Sequence, residues 1–512
     1  MSSINRINPV LIILILLINS IPGNTMGQGL KSKNNTGELL AKQYCSVCHL
    51  FVEPALLDKK TWTQSVLPNM GWRLGIRKPD DDPFKNLDES EAKAIKALNI
   101  YPDAQLIAEK DWQKIIAYFT EKAPDKVIVA NLPVKIGNAA SRFKAIPLTI
   151  GENIVPSTTA IKYDHENALL YVADAENGLF IIDKNYQMTD YWRLNSPAVD
   201  FHFTKNKPPQ VLCIGSIKPS EAKNGFLITL DKSENPEEQH QPITALGRPV
   251  HFTVGDINLD GKSDLLISAF GNHSGKFVAY LDQKPENEVV LKNQAGARKS
   301  IVKDMNKDGK PDILIMLAQA REQILLLTNM GNGKFEEKKL LEFPPVYGCS
   351  NFELADFNHD GFDDILMTNG DNWDLSAIRK KFHGVRIFLN NGKNQFKESY
   401  FFPLYGASKA MACDFDKDGD LDIAAISFYD DPDDPSEGFV LLENTGNNQF
   451  LPSYTMAANS GKWLTMDIAD INQDGRTDIL LGSYFHNANE VTKLATKGIT
   501  DYPNILILLN SF

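Results

Sequence analysis

Residues 256–267 read DINLDGKSDLLI. Four further segments have the same shape: DMNKDGKPDILI, DFNHDGFDDILM, DFDKDGDLDIAA and DINQDGRTDILL, starting at Asp304, Asp356, Asp414 and Asp470. The five starts lie 48 to 58 residues apart, close to the period of repeat architectures. Their shared template is D-x-[DN]-x-D-G-x-x-D. Each copy runs from acidic residues and a tight glycine turn straight into an apolar, β-rich stretch. The loops therefore join strands, and no amphipathic helix follows them.

The template has the front half of an EF-hand loop, in which positions 1, 3 and 5 supply side-chain oxygens and glycine makes the turn at position 6. The back half is absent. Position 12, where an EF-hand carries a bidentate glutamate, holds Ile267, Ile315, Met367, Ala425 and Leu481. Hard carboxylate and amide oxygens around a glycine turn still suit Ca²⁺. The expected ligands are Asp256, Asn258, Asp260 and Asp264 in the first loop, and Asp304, Asn306, Asp308 and Asp312 in the second. Asp356, Asn358, Asp360 and Asp364 follow, then Asp414, Asp416, Asp418 and Asp422, and last Asp470, Asn472, Asp474 and Asp478. Without a cation, several carboxylates would crowd each loop, and like charges in one site disfavour ionisation. Five calcium ions would nearly offset the net charge of −12. The plain alternative is a solvated Asp-Gly hairpin turn, which five copies with one ligand pattern make a poor account.

Each unit reads as strand, acidic loop, strand, then two more strands: VHFTVGD, DLLISAF, KFVAYLD and EVVLK in one copy; KAMACDF, DIAAISF and GFVLLEN in another. Four strands per unit at this period imply a β-propeller. Two units without the ligand pattern precede the five, TTAIKYDHENALLYVADAENGLFIID and AVDFHFTKNKPPQVLCIGSIKP with GFLITLD, which makes seven blades. The terminal NILILLN is expected to pair with FKAIPLTI and close the ring, removing exposed sheet edges. On these motifs, residues 143–512 resemble the FG-GAP/VCBS repeat family, as in integrin α propellers.

The N-terminus, MSSINRINPVLIILILLINSIPG, has one arginine, a short apolar run and then small, polar residues. That is a secretory signal layout, with an apolar run too short to span a bilayer comfortably. We read residues 1–26 as a signal peptide and the polar 27–36 as a flexible tether, which places the protein in the periplasm or at the surface of a bacterium. No later apolar run reaches the roughly 20 residues of a transmembrane helix. The acidic balance argues against nucleic-acid binding. Five cysteines are too few for a disulfide framework.

Two of those cysteines lie in QYCSVCHLFV, residues 43–52. A zinc site would need about two more Cys or His nearby, and none lies between Gly27 and Ile161 beyond Cys45, Cys48 and His49. A thioredoxin-like site would follow a strand, whereas GELLAKQY reads as helix. C-x-x-C-H is instead the attachment signature of haem c. Cys45 and Cys48 form thioethers to the haem vinyl groups, and His49 is the proximal iron ligand. Residues 37–125 resemble a small, all-α monohaem cytochrome c domain. Its N-terminal helix is GELLAKQYC and its C-terminal helix EKDWQKIIAYFTEKAP, with Trp112, Ile115, Ile116 and Phe119 at helical spacing. The resemblance implies a close crossing of these helices, with Gly37 against Tyr118 or Trp112. Met70 is the expected distal iron ligand, since it is the single methionine between Gly27 and Pro124 and no second histidine is present there. Arg73 and Arg77 are candidates to pair with haem propionates, against the plainer reading of exposed surface arginines. Cys213, Cys349 and Cys413 read as buried free thiols.

The expected architecture is thus a cytochrome c domain, a linker at 126–142, and a seven-bladed propeller with calcium loops in its last five blades. Three functions compete. The first is an electron-transfer protein whose propeller binds a redox partner, ligand or polymer. The second is an oxidoreductase whose propeller passes electrons from a substrate to haem. The third is an adhesion or ligand-binding propeller with a sensing haem. The electron carrier accounts for the cytochrome motif most directly, and no catalytic residues are assigned.

Overall fold

The computed structural model describes residues 36–129, 142–151, 155–231, 241–371, 375–429 and 437–511. The expected signal peptide, nearly all of the tether and residues 130–141 of the linker lie outside them. Among the described residues no helix is long and apolar enough to cross a membrane.

Seven four-stranded antiparallel sheets follow one another in chain order. Blades 1 to 6 occupy 158–193, 198–246, 249–292, 297–343, 349–403 and 407–453. Blade 7 takes its first three strands from 463–510 and its outermost strand from Phe143–Leu148, which pairs with Ile505–Asn510 from Phe143↔Asn510 to Leu148↔Ile505. The ring is therefore closed between the two ends of the propeller segment, as the terminal NILILLN predicts. The second strand of each blade is apolar on both faces because blades stack on both sides of it. Asp264–Ala269, Asp364–Asn369, Asp422–Ser427 and Asp478–Ser483 are buried at every residue. Interblade clusters such as Phe415, Phe439, Trp463 and Leu506 carry the core.

One element departs from the expected rhythm. Blade 7 inserts a helix, Ala488–Thr496, between its second and third strands, capped by the Asn487 side chain.

Residues 36–129 are helical. The helices are α1 (Thr36–Cys45), α2 (Lys59–Thr61), α3 (Leu67–Arg73), α4 (Glu89–Ala97) and α5 (Glu109–Lys122), with a π-turn at Trp62–Val66 linking α2 to α3. α1 crosses α5 at Gly37, where a Cβ would meet Lys114 O at 2.4 Å and Tyr118 Cβ at 2.9 Å. Of the two expected partners Tyr118 is the one in contact; Trp112 packs on Gly71 of α3 instead. Along α5 the buried residues are Trp112, Ile115, Tyr118 and Phe119, while Ile116 is only partly buried.

The helices are docked on the propeller. Val346 and Ile378, from loops between blade strands, join the core cluster of Trp62, Leu67, Trp112 and Phe119. Ser65 donates to Leu375 O at 2.7 Å. Glu91 accepts from Ser220 Oγ and Glu221 N at 2.5 and 2.7 Å. Tyr101 meets His273 edge-on at 5.9 Å. All these propeller residues lie in loops after the second or fourth strand of a blade. The acidic loops follow the first strand, so they occupy the opposite face.

Candidate functional site

The five acidic loops share one geometry. Position 4 takes a left-handed conformation without glycine (Leu259, Lys307, His359, Lys417, Gln473; φ 57 to 65°), and the glycine at position 6 has φ between 82 and 101°. A side chain is strained at such φ values, so the turn is held by its bonds. In every loop the position-5 amide donates to the carboxylate at position 1 and the side-chain oxygen at position 3, and the position-6 amide donates to position 1; for the third loop these are Asp360 N to Asp356 and Asn358, and Gly361 N to Asp356. These donors draw the oxygens of positions 1 and 3 toward the turn.

The position-9 aspartates, Asp264, Asp312, Asp364, Asp422 and Asp478, are buried at the start of the second strand. Each accepts from the position-2 amide through one oxygen: Ile257, Met305, Phe357, Phe415 and Ile471. The other oxygen accepts from an amide at the end of the third strand, Asn329, Asn390, Asn444 or Asn510, or, in blade 3, from Asp282 in the turn just after it. Burial pushes these carboxyls up, to about 7 for Asp422 and about 6 for Asp364 and Asp478, with the loop's other carboxylates adding to the rise. In blade 6, carboxylate oxygens of Asp414, Asp416 and Asp422 all lie within 4.8 Å of one another. In that blade, convergent oxygens whose ionisation the protein alone disfavours fit a hard cation. The position-12 residues are buried in the second strand, away from the loop, so an EF-hand ligand set is excluded.

Sequence reasoning missed the third-strand asparagines. Asn329, Asn390, Asn444 and Asn510 donate through Nδ2 to the carbonyl before the position-9 aspartate. Asn329 and Asn510 also reach Ile257 O and Phe415 O in the preceding blade. The signal was present in TNMGNG, LNNGKN and ENTGNN, which read as turn residues.

On the opposite face, α1 ends at Cys45, and Cys48 and His49 follow in a turn. His49 Nδ1 lies 2.7 Å from Leu50 O. With Nδ1 as donor, the Nε2 lone pair is free to ligate, the usual arrangement of a metal-binding histidine. Burial lowers the His49 pKa, and Arg73 and Arg321 lower it further. Burial, then the neighbouring Cys48, pushes the Cys45 thiol to about 11. Val47 and Leu50 beside the motif are exposed. Cys45 and Met70 pack on the same core cluster. Met70 precedes Arg73 by one turn of α3, on the same side of the helix. Thiols at the required spacing, an oriented imidazole and an adjacent apolar surface fit a covalently held haem. Arg77 is committed elsewhere: it donates to Tyr101 O and Pro102 O and pairs with Asp103, which leaves Arg73 as the nearer arginine. Cys213 and Cys349 are buried and Cys413 partly so, all as free thiols.

The innermost strands bring charged side chains around the axis, a feature without a sequence signature. Lys162, Asp200, His251, Lys299, Glu353, Lys409 and Asp467 come one from each blade and act on one another electrostatically. Lys299 bonds Asn351 at 3.0 Å and lies 3.8 Å from Glu353. His251 lies 3.8 Å from Asp200. Enclosure by protein lowers Lys299 to about 8 and His251 to about 4.

The fold and loops define the class: a seven-bladed β-propeller carrying FG-GAP repeats. Residues 304–367 and 414–481 match the FG-GAP-like repeat family. Each matched stretch runs from one acidic loop to the strand after the next, so it holds two loops in phase. No curated protein matches the chain. Among solved structures, the WD40 domain of Neurospora crassa Pan2 is 11% identical over 74% of this chain and 98% of its own, with a TM-score of 0.45. BBS1N, from its complex with ARL6DN, is 8% identical over 72% and 96%, with a TM-score of 0.43. Saccharomyces cerevisiae Sqt1 is 8% identical over 69% and 83%, with a TM-score of 0.41.

Proposed function

We propose that this chain is an exported electron-transfer protein, in which the helical segment holds one haem c and the calcium-stabilised propeller binds a redox partner or ligand. The observation that carries it is the CSVCH turn at the end of α1, with His49 Nδ1 bonded to Leu50 O and α1 crossed tightly on α5 at Gly37 and Tyr118. Bound haem would supply one-electron exchange. Cys45 and Cys48 would attach it, His49 would ligate the iron through Nε2, and Met70 would supply a second iron ligand. The five acidic loops would each hold one calcium ion, tying the first strand of a blade to its second.

The test is retention. Exported with a haem-ligation system, the protein keeps its haem through acid-acetone extraction, and Cys45→Ala with Cys48→Ala loses it. Extractable haem, or stoichiometric zinc, overturns the reading.

A second reading is favoured by the axial charges. Three lysines and three carboxylates gathered on the innermost strands are the kind of polar lining that a substrate site uses. In that reading the propeller would bind a small polar substrate among these side chains, and a bound haem would supply one-electron exchange with an external redox partner. Haem reduction on adding a substrate, in protein freed of dehydrogenases, would favour it.

A further inference from the structure

The attachment turn is held across the domain junction by a propeller residue. Arg321 opens the third strand of blade 4, directly after Ala320 in a left-handed turn with φ 61°. Its Nε–H donates to Cys48 O at 2.9 Å. From the helical side, the Arg73 guanidinium lies 5.3 Å over the Tyr101 ring, and Tyr101 packs against His273 of blade 3. Bonded to the carbonyl of the residue before His49, Arg321 places its positive charge beside the proximal ligand, and Arg73 adds to it.

We infer that Arg321 is a positioning residue for the haem site: it clamps the attachment turn through the Cys48 carbonyl and, with Arg73, sets a positive field at the proximal ligand. This rests on the haem reading. A positive field favours the iron state of lower charge, which is the reduced one. One unit charge at roughly 10 Å, with an effective dielectric constant of 20 to 40, changes that equilibrium by about four- to fifteenfold. Arg321 is exposed, so salt shrinks the effect. The clamp is a second, separable contribution. A guanidinium fixes its donor in a rigid fork, and a lysine ammonium offers charge without that geometry. The propeller would then tune the redox site itself, beyond choosing the partner.

The experiment uses the full chain with haem attached. The reduced-to-oxidised ratio is measured against a dye couple of fixed potential, at low and high salt, for wild type, Arg321→Gln and Arg321→Lys. Hydrogen exchange is followed at the amides of Val47 to Leu50. Arg321→Gln is expected to shift the ratio toward oxidised protein by about four- to fifteenfold at low salt and to speed exchange in the turn. Arg321→Lys is expected to keep the ratio within about twofold of wild type while exchange still rises. Loss of haem from Arg321→Gln alone, with propeller melting unchanged, also supports the clamp. An unchanged ratio and unchanged exchange in haem-loaded Arg321→Gln overturn the inference and leave the haem reading standing. Absence of covalent haem in the wild type overturns both, and is seen before any variant is made.

Discussion

Gly37 and Tyr118 lie so close that a Cβ on the glycine would sit 2.9 Å from the Tyr118 Cβ and 2.4 Å from Lys114 O. Backbone cannot yield as a flexible side-chain tip does. Gly37→Val therefore forces α1 away from α5, and α1 carries Cys45 at its last turn. Overpacking of this kind costs about 1–3 kcal/mol. The expected result is lower helical stability and a lower yield of attached haem. Equal haem yield and an unchanged melting temperature would show that the crossing is loose.

The interblade asparagines give a second prediction. Asn329 spends its Nδ2 on Ile257 O in blade 3 and Pro311 O in blade 4. Asn329→Ala leaves two carbonyls without that donor, one of them buried. A cost of about 1–3 kcal/mol follows for the unsatisfied group, read as a drop in the propeller melting temperature. Asn391→Ala, whose side chain bonds only exposed neighbours in its own turn, the Gln395 side chain and the Lys393 amide, is the control and should stay within about 0.5 kcal/mol of wild type.

These asparagines mark where the sequence stops being legible. Blade number and ring closure could be read because the acidic loops recur in phase with the strand rhythm. α1 and α5 could be read from helical periodicity. The docking of the helices on blades 2 to 5 could not. Its contacts join Ser65 to Leu375 and Cys48 to Arg321, positions far apart in the chain with no periodic relation. The axial charges were hidden for another reason: alternation within an inner strand labels Lys299 and Lys409 as solvent-facing, whereas both are partly buried among side chains of the other blades. The Asn-x-Gly recurrence was visible, but it also describes a common turn.

Calcium gives the third prediction. Chelation should lower the melting temperature, because an ion bound only to the native state adds RT ln(1 + [L]/Kd), about 2.7 kcal/mol per site at one hundred times Kd. The haem spectrum should hold, since the acidic loops lie on the face opposite the attachment turn. Asp360→Ala and Asp308→Ala should each remove one bound ion, counted by elemental analysis. Unchanged melting and metal content on chelation would make the loops plain turns.

A pH prediction comes from Glu322, which is 4% exposed and accepts from Cys349 N at 2.6 Å. Burial raises its pKa from the ordinary 4.5 to about 8; the bond from Cys349 opposes the rise and Asp371 adds to it. A carboxyl whose folded pKa is raised binds its proton more tightly in the native state. Its contribution is full below about pH 4.5 and is lost as pH climbs through about 8. With calcium saturating, the melting temperature of the wild type should fall across that interval. Glu322→Gln, which keeps an acceptor but does not titrate, should flatten the fall. Parallel pH curves for the two proteins would assign the slope to other groups.

The last prediction concerns the junction. Were the helical segment a freely tethered module, it would melt on its own. Ile378 and Val346 of the propeller instead sit in its core cluster beside Trp62 and Phe119, and Glu91 holds the backbone and hydroxyl of the blade 2 loop. Thr36 to Phe512 form one compact unit. The wild type should therefore show a single calorimetric transition covering both parts. Ile378→Asp places a charge against that apolar cluster, and a buried charge without a partner is costly. The helices should then come away from blade 5 while the ring, closed by its own strands from Phe143 to Asn510, stays intact. Two transitions are expected, the helical one lower, with the propeller transition alone responding to calcium. Two transitions already present in the wild type would show that the contacts at Ser65, Glu91 and Ile378 do not couple the parts, and Arg321 would then have no fixed attachment turn to hold.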